Sequence, residues 1–225
     1  VAGGFKDDGY ELDGQWYGIP KHGFAKTEEW AVESADEEEA TFLLTAQKSG
    51  FPFRYEFRAV FSLETNQLEV NYVVKNLDDR TFYFSVGAHE AYACPGKIED
   101  YYLVFDEKEN LDCYPLDGNL IKHGTIDMGR DTDTLALSYS LLDHDALVFR
   151  NLNSTGVALC CRNNERKVHV EFEGNPTIMF WHHPDGQYLC NEPWNNSPDF
   201  VDAPHDMAKN PNFLCLPPGR AANRR

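Results

Sequence analysis

The stretch Arg54-Tyr55-Glu56-Phe57-Arg58-Ala59-Val60-Phe61-Ser62-Leu63, followed after Glu64-Thr65-Asn66 by Gln67-Leu68-Glu69-Val70-Asn71-Tyr72-Val73-Val74-Lys75, decides the fold class. Tyr55, Phe57, Ala59, Phe61 and Leu63 share one side of a two-residue period, with Glu56, Arg58 and Ser62 on the other. In the second half Leu68, Val70, Tyr72 and Val74 alternate with Glu69, Asn71 and Lys75. Side chains of an extended chain point alternately to opposite faces, so each half reads as a half-buried strand and the pair as a β-hairpin.

The same pattern recurs along the chain. Gly156–Cys161 and Lys167–Glu173 form a second hairpin turning at Arg162-Asn163-Asn164-Glu165, since Val168, Val170 and Phe172 alternate with polar residues. A third joins Thr177–His182 to Gln187–Asn191 around Asp185-Gly186, a pair that tolerates the positive φ of tight turns. It brings Glu192 to the end of a strand. Further strands are expected at Thr41–Gln47, Thr81–Val86, Tyr101–Phe105 and Ala146–Phe149, and the run Asp36-Glu37-Glu38-Glu39 reads as a solvated turn between strands. Many short strands with turns between them imply an all-β, large antiparallel sandwich. No repeat, low-complexity tract or linker divides the 225 residues, so a single domain over 1–225 is expected.

Composition narrows the partners. A formal net charge of -17 repels phosphate backbones and anionic lipid, so neither nucleic acid nor membrane is an expected partner, whereas a neutral, hydroxyl-rich ligand suits the field. No apolar run reaches the length of a membrane span, and no signal stretch opens the chain. The six cysteines, at 94, 113, 160, 161, 190 and 215, include no CxxC pair. They read as reduced thiols, with at least one of Cys160 and Cys161 buried, and point to a cytoplasmic setting. No metal site is expected. His182-His183 would face opposite ways in a strand, and Asp127, Asp131 and Asp133 lack the glycine and closing glutamate of a calcium loop.

Three segments carry chemistry: His22-Gly23-Phe24-Ala25, Gly87-Ala88-His89 and Asn191-Glu192-Pro193-Trp194. Two imidazoles and a carboxylate can move protons near neutral pH. Aromatic side chains beside them can carry the apolar face of a sugar ring, and Phe24, Trp181 and Trp194 are the candidates. By residue chemistry alone, His89 fits a core histidine bonded to a carbonyl as well as it fits a proton donor. His22 by itself fits an exposed loop imidazole.

In order and wording, the three segments resemble the aldose 1-epimerase (galactose mutarotase-like) family, and most closely its LacX-like branch, over nearly the whole chain. The resemblance implies the β-supersandwich fold and a cofactor-free isomerase acting on a monosaccharide. It implies that Glu192 is the base at the anomeric hydroxyl and His89 the acid at the ring oxygen. His22 would then bond near that oxygen.

The chain departs from the family pattern in places. Glu90 follows His89 where proline is frequent, Lys26 stands where arginine is usual, and no arginine lies upstream of His22. The family's further sugar-binding aspartate has no assigned counterpart. Relatives of this branch carry further strands before the HGF motif, so the chain is expected to be truncated at both ends, with an open edge or apolar patch near residues 1–25. The alternative function is a non-catalytic carbohydrate-binding or sugar-sensing protein on the same fold. A third reading, a mutarotase for phosphorylated hexoses, lacks the cationic clamps it would need. Which aldose binds, and the oligomeric state, stay open.

Overall fold

The structure is a computed structural model describing residues 3–45, 50–143 and 145–224. Its residues group into two compact units, one holding the chain up to Val86 together with that from Ala203 onward, the other Gly87–Asp202. Among the described residues no helix is long and apolar enough to cross a membrane.

The first unit is organised on a five-stranded antiparallel sheet, in the order Ala221–Arg224, Gln67–Asn76, Tyr55–Glu64, Glu39–Thr45 and Ala31–Ala35. The hairpin read from residues 54–75 lies at its centre. Its register runs from Tyr55 opposite Asn76 to Glu64 opposite Gln67, so the connection is the pair Thr65-Asn66, with Thr65 at φ 49°. Burial fades along it: Tyr55, Ala59 and Val74 are buried, whereas Leu63 and Leu68, opposite each other near the tip, are 52% and 58% exposed. The acidic run is a turn between strands as expected, and the Asp36 carboxylate accepts the Glu38 and Glu39 N–H groups at 2.9 and 2.8 Å. The strand expected at Thr41–Gln47 is Glu39–Thr45, and positions 46 and 47 lie outside the described residues. That expected at Thr81–Val86 is Phe82–Phe84, paired with Leu214–Leu216.

Residues near the start are enclosed in part, although Trp16 is 48% exposed there. Gly9–Leu12 and Gln15–Gly18 form a hairpin, and Phe5, Tyr10, Leu12 and Ile19 are buried in the unit's aromatic-rich core with Tyr55, Phe82 and Phe213. The outer edge of Gly9–Leu12 is also taken, because Glu11 N–H donates to the His205 carbonyl at 2.7 Å and Met207 N–H to the Glu11 carbonyl at 2.9 Å. That edge is therefore closed, by backbone hydrogen bonds from residues 205–207.

The second unit packs two four-stranded antiparallel sheets face to face. One runs Thr132–Ala136, Tyr101–Glu109, Gly156–Cys161, Lys167–Glu171, the other Leu147–Arg150, Thr177–Trp181, Tyr188–Trp194, Glu90–Ala93. Leu103, Phe105, Val157 and Leu159 of the first meet Phe149, Ile178, Phe180 and Leu189 of the second in a single core, with Phe105 6.3 Å from Phe180 between ring centroids. Strand alternation then turns Met179, Trp181, Cys190, Glu192 and Trp194 to the face of the second sheet away from that core. Both hairpins read from the sequence here are present. All six cysteines are free, with Cys161 buried beside a half-buried Cys160.

Candidate active site

Glu192 does not end its strand. Tyr188–Trp194 continues two residues beyond it, with Met179 opposite Glu192 and Thr177 opposite Trp194. Proline inside a strand normally removes a ladder bond. Pro193 presents its carbonyl to the Ala88 N–H at 3.0 Å, so its ring nitrogen faces the same side, opposite the stretch before the ladder opens at Glu90. The strand can therefore carry proline there and keep Glu192 on its outer face.

Register then brings His89 to Glu192. Glu90 lies opposite Asn191 and Gly87 opposite Trp194, and the intervening Ala88 to Pro193 bond continues the same pairing. Directly opposed residues of an antiparallel pair have Cβ atoms about 4.5–5.5 Å apart, close enough for side chains to meet. His89 Nε2 lies 3.4 Å from Glu192 Oε1. The imidazole side chain is 42% exposed and the carboxylate side chain 2%, so the acid candidate faces solvent and the base candidate sits beneath it. Met179, 5% exposed, opposes the carboxylate as an apolar neighbour.

The two tryptophans differ. Trp181, half-buried and opposite Cys190, sets its ring edge-on to His89 with centroids 6.3 Å apart, so it offers an aromatic surface beside the imidazole. Trp194 is 1% exposed and donates its indole N–H to the Ala88 carbonyl at 2.9 Å, while its ring fills the space above Gly87. A buried ring cannot stack on a ligand, so Trp194 supports the backbone beside His89 instead of forming the binding surface expected of it.

His22 and Phe24 belong to the first unit. The His22 backbone adopts φ 65°, its Nδ1 accepts the Gly3 N–H at 3.2 Å, and a neutral ring therefore carries its proton on Nε2. Phe24 packs 5.4 Å from Phe51 and 6.3 Å from Tyr55 in the wall of an apolar cavity of about 50 Å³. Its ring has a packing role within that unit.

Other expectations resolve simply. His182 is 2% exposed and tilted against Tyr139, whereas the His183 side chain is 54% exposed, so the two do face apart. Arg130 pairs with Asp112 at 2.8 Å and Asp127 at 3.1 Å, and Lys108 with Asp131 at 2.9 Å, leaving loop carboxylates tied to cations. Asn195, Asn196 and Ser197, just past the strand that carries Glu192, are buried.

The sequence reading missed Cys190. It stands two residues before Glu192 on the same face, and its thiol, His89 and Glu192 bring one donor atom each within 4.8 Å of one another. The signal was the i, i+2 spacing of Cys190 and Glu192 in a strand. Burial pushes the Cys190 thiol up to about 12, and the negative charges of Glu192 and Glu90 add to the rise. Burial likewise holds the Glu90 carboxyl above the usual glutamate range.

An imidazole 3.4 Å from a covered carboxylate, at the end of an antiparallel strand pair and beside a tryptophan, is an arrangement capable of general acid–base chemistry. The chain belongs to the aldose 1-epimerase family, whose model matches residues 1–223. It is 29% identical over 189 residues to protein LacX of Lactococcus lactis, a match covering 79% of this chain and 63% of that protein's length. The match thus spans under two thirds of the curated relative. It is 30% identical, with a TM-score of 0.92, to a galactose mutarotase related enzyme from Lactobacillus acidophilus, covering 100% of this chain and 78% of that one. A galactose mutarotase-like protein from Lactobacillus casei, 22% identical, shares the fold at a TM-score of 0.90, over 100% of this chain and 80% of its own. The all-β, galactose mutarotase-like fold is therefore that of the family.

Proposed function

We propose that this chain is an aldose 1-epimerase that interconverts the α and β anomers of a free aldose without a cofactor. The contact between His89 Nε2 and Glu192 Oε1 at 3.4 Å carries the reading. In a cyclic hemiacetal the hydroxyl oxygen and the ring oxygen sit on the same carbon, so an acid and a base side by side can address both. Glu192 takes the proton of the C1 hydroxyl while the His89 imidazolium gives one to the ring oxygen, and the bond from C1 to that oxygen breaks. Rotation about C1-C2 presents the other face of the aldehyde. His89 then takes the proton of the attacking hydroxyl, Glu192 returns its own to the carbonyl oxygen, and both groups regain their starting state. Trp181 covers the apolar face of the sugar beside His89.

Polarimetry of freshly dissolved α-D-glucose and α-D-galactose tests this. The protein should speed the approach to anomeric equilibrium, and Glu192→Gln should remove most of that acceleration, since one acid or base contributes about 10² to 10⁴ in rate. His89→Asn should cost as much or less. A wild-type protein with no acceleration, or Glu192→Gln at the parental kcat, refutes the mechanism.

The 2% exposure of the Glu192 side chain favours a second reading, a carbohydrate-binding protein whose carboxylate is held away from the ligand. Saturable sugar binding by calorimetry without any change in the mutarotation rate would establish it.

A further inference from the structure

Proton transfer by His89 and Glu192 leaves the third member of their cluster without a task. A buried cysteine is most often a small apolar filler. Cys190, however, converges with an imidazole nitrogen and a carboxylate oxygen, all three donors lying within 4.8 Å of one another. Nitrogen, sulfur and oxygen together suit a borderline-soft divalent ion such as Zn²⁺, and suit Mg²⁺ or Ca²⁺ poorly, since those prefer oxygen alone.

The spacing agrees with the chemistry. Charge-assisted hydrogen bonds to a carboxylate run at about 2.7–2.9 Å, and His89 Nε2 stands off from Glu192 Oε1 at 3.4 Å. Two ligands each about 2.0–2.1 Å from a tetrahedral ion lie roughly 3.4 Å apart, and a sulfur at about 2.3 Å lies slightly further from each. Side-chain adjustments of about 1 Å or less would therefore close the set around one ion. Three protein donors leave a fourth position for water or a sugar hydroxyl. His89 and Ala91, which opposes Cys190, are exposed beside the buried Cys190 and Glu192.

We infer that His89, Cys190 and Glu192 form a binding site for Zn²⁺ or a similar divalent ion, and that its occupancy shuts off proton transfer by His89 and Glu192. The binding stands by itself; the shut-off rests on the mutarotase reading. On binding, the S–H bond breaks, its proton leaves to solvent and a metal–sulfur bond forms, with no change in oxidation state. Ligation also takes the imidazole lone pair and the carboxylate out of acid–base use.

Cobalt(II) titration of the chelator-treated 225-residue chain tests the site, because thiolate-to-cobalt charge transfer absorbs in the near-ultraviolet and reports a sulfur ligand directly. One equivalent should bind, show that band and be displaced by Zn²⁺. Cys190→Ser should lose the band and weaken Zn²⁺ binding by about tenfold or more, as loss of a direct ligand must exceed the effect of an outer-sphere change. Cys215→Ser, which removes the exposed thiol, should keep the band. If Cys190→Ser fails to fold, X-ray absorption of the zinc-loaded wild type should find one sulfur among the ligands. A band that survives Cys190→Ser, absence of saturable binding, or a sulfur-free ligand shell overturns the site. Zn²⁺ should inhibit mutarotation in step with occupancy and chelator should reverse it. Full activity at full occupancy overturns the shut-off. A Cys190-dependent cobalt spectrum in a chain with no mutarotase activity overturns the mutarotase reading alone and leaves the metal site standing.

Discussion

Gly87→Ala is the smallest change that should disturb the site from outside it. A Cβ at position 87 would overlap the Trp194 indole, with Trp194 Cγ 2.7 Å and the Pro193 carbonyl oxygen 3.1 Å away. The ring cannot swing aside, being 1% exposed and tied by its N–H to the Ala88 carbonyl at 2.9 Å. Adding a methyl group to a filled site costs about 1–3 kcal/mol, and breaking the indole bond adds about 0.5–1.5 kcal/mol. The sum of about 1.5–4.5 kcal/mol lowers the Tm of a chain this size by roughly 3–18 °C. His89 lies two residues on, opposite Glu192, so the same shift should lengthen the imidazole to carboxylate contact and reduce kcat more than KM. Scanning calorimetry and polarimetry read the two effects. The cost should shrink when the indole is replaced, so Gly87→Ala is to be compared in the wild-type and Trp194→Leu backgrounds. Equal losses in both backgrounds, or an unchanged Tm in the first, would show that the indole is not the obstacle.

Glu90→Gln should change the pH dependence of stability. Burial raises the folded-state value of this carboxyl, so its stabilising contribution is complete below the unfolded value of about 4.3 and is lost as pH rises through the higher folded value. The amide cannot ionise, so the variant should gain Tm relative to wild type as pH rises above about 4, and parallel curves refute the argument. Trp181→Ala and Trp194→Phe should separate ligand contact from scaffold: the first should raise the sugar KM with little change in Tm, the second should lower Tm. The reverse pattern would reassign both rings.

Local pairing was legible in the sequence because it depends on alternation and turn residues that lie close together. Thus the hairpins at 55–76, 156–171 and 177–194 were found with small errors at their ends. The error at Glu192 has a physical source. Proline reads as a strand terminator, and only the position of the Glu90–Ala93 strand, which leaves the Pro193 nitrogen facing no ladder partner, makes proline tolerable inside. That strand, Glu-Ala-Tyr-Ala, has too weak a pattern to declare itself. With it unseen, the pairing of His89 with Glu192 could be drawn from the family resemblance but not from the residues. Trp194 was misread because the use of an aromatic depends on which neighbour covers it, here a glycine more than a hundred positions away in sequence.

Register explains why the imidazole and the carboxylate can differ in exposure and still meet. Glu192 is held on one side by the full ladder to Thr177–Trp181, whose inner residues Ile178 and Phe180 are buried in the sandwich core. A slip of one residue would turn those side chains out and the carboxylate in, so the core fixes where the base points. His89 has no such strand of its own. Its backbone is secured next door, where Ala88 donates its N–H to Pro193 and accepts the indole N–H of Trp194. Beyond that anchor the imidazole is 42% exposed and can follow a ligand. A rigid, covered carboxylate beneath a tethered, solvent-facing imidazole suits chemistry in which one oxygen of the substrate stays in place while the other must be released and recaptured.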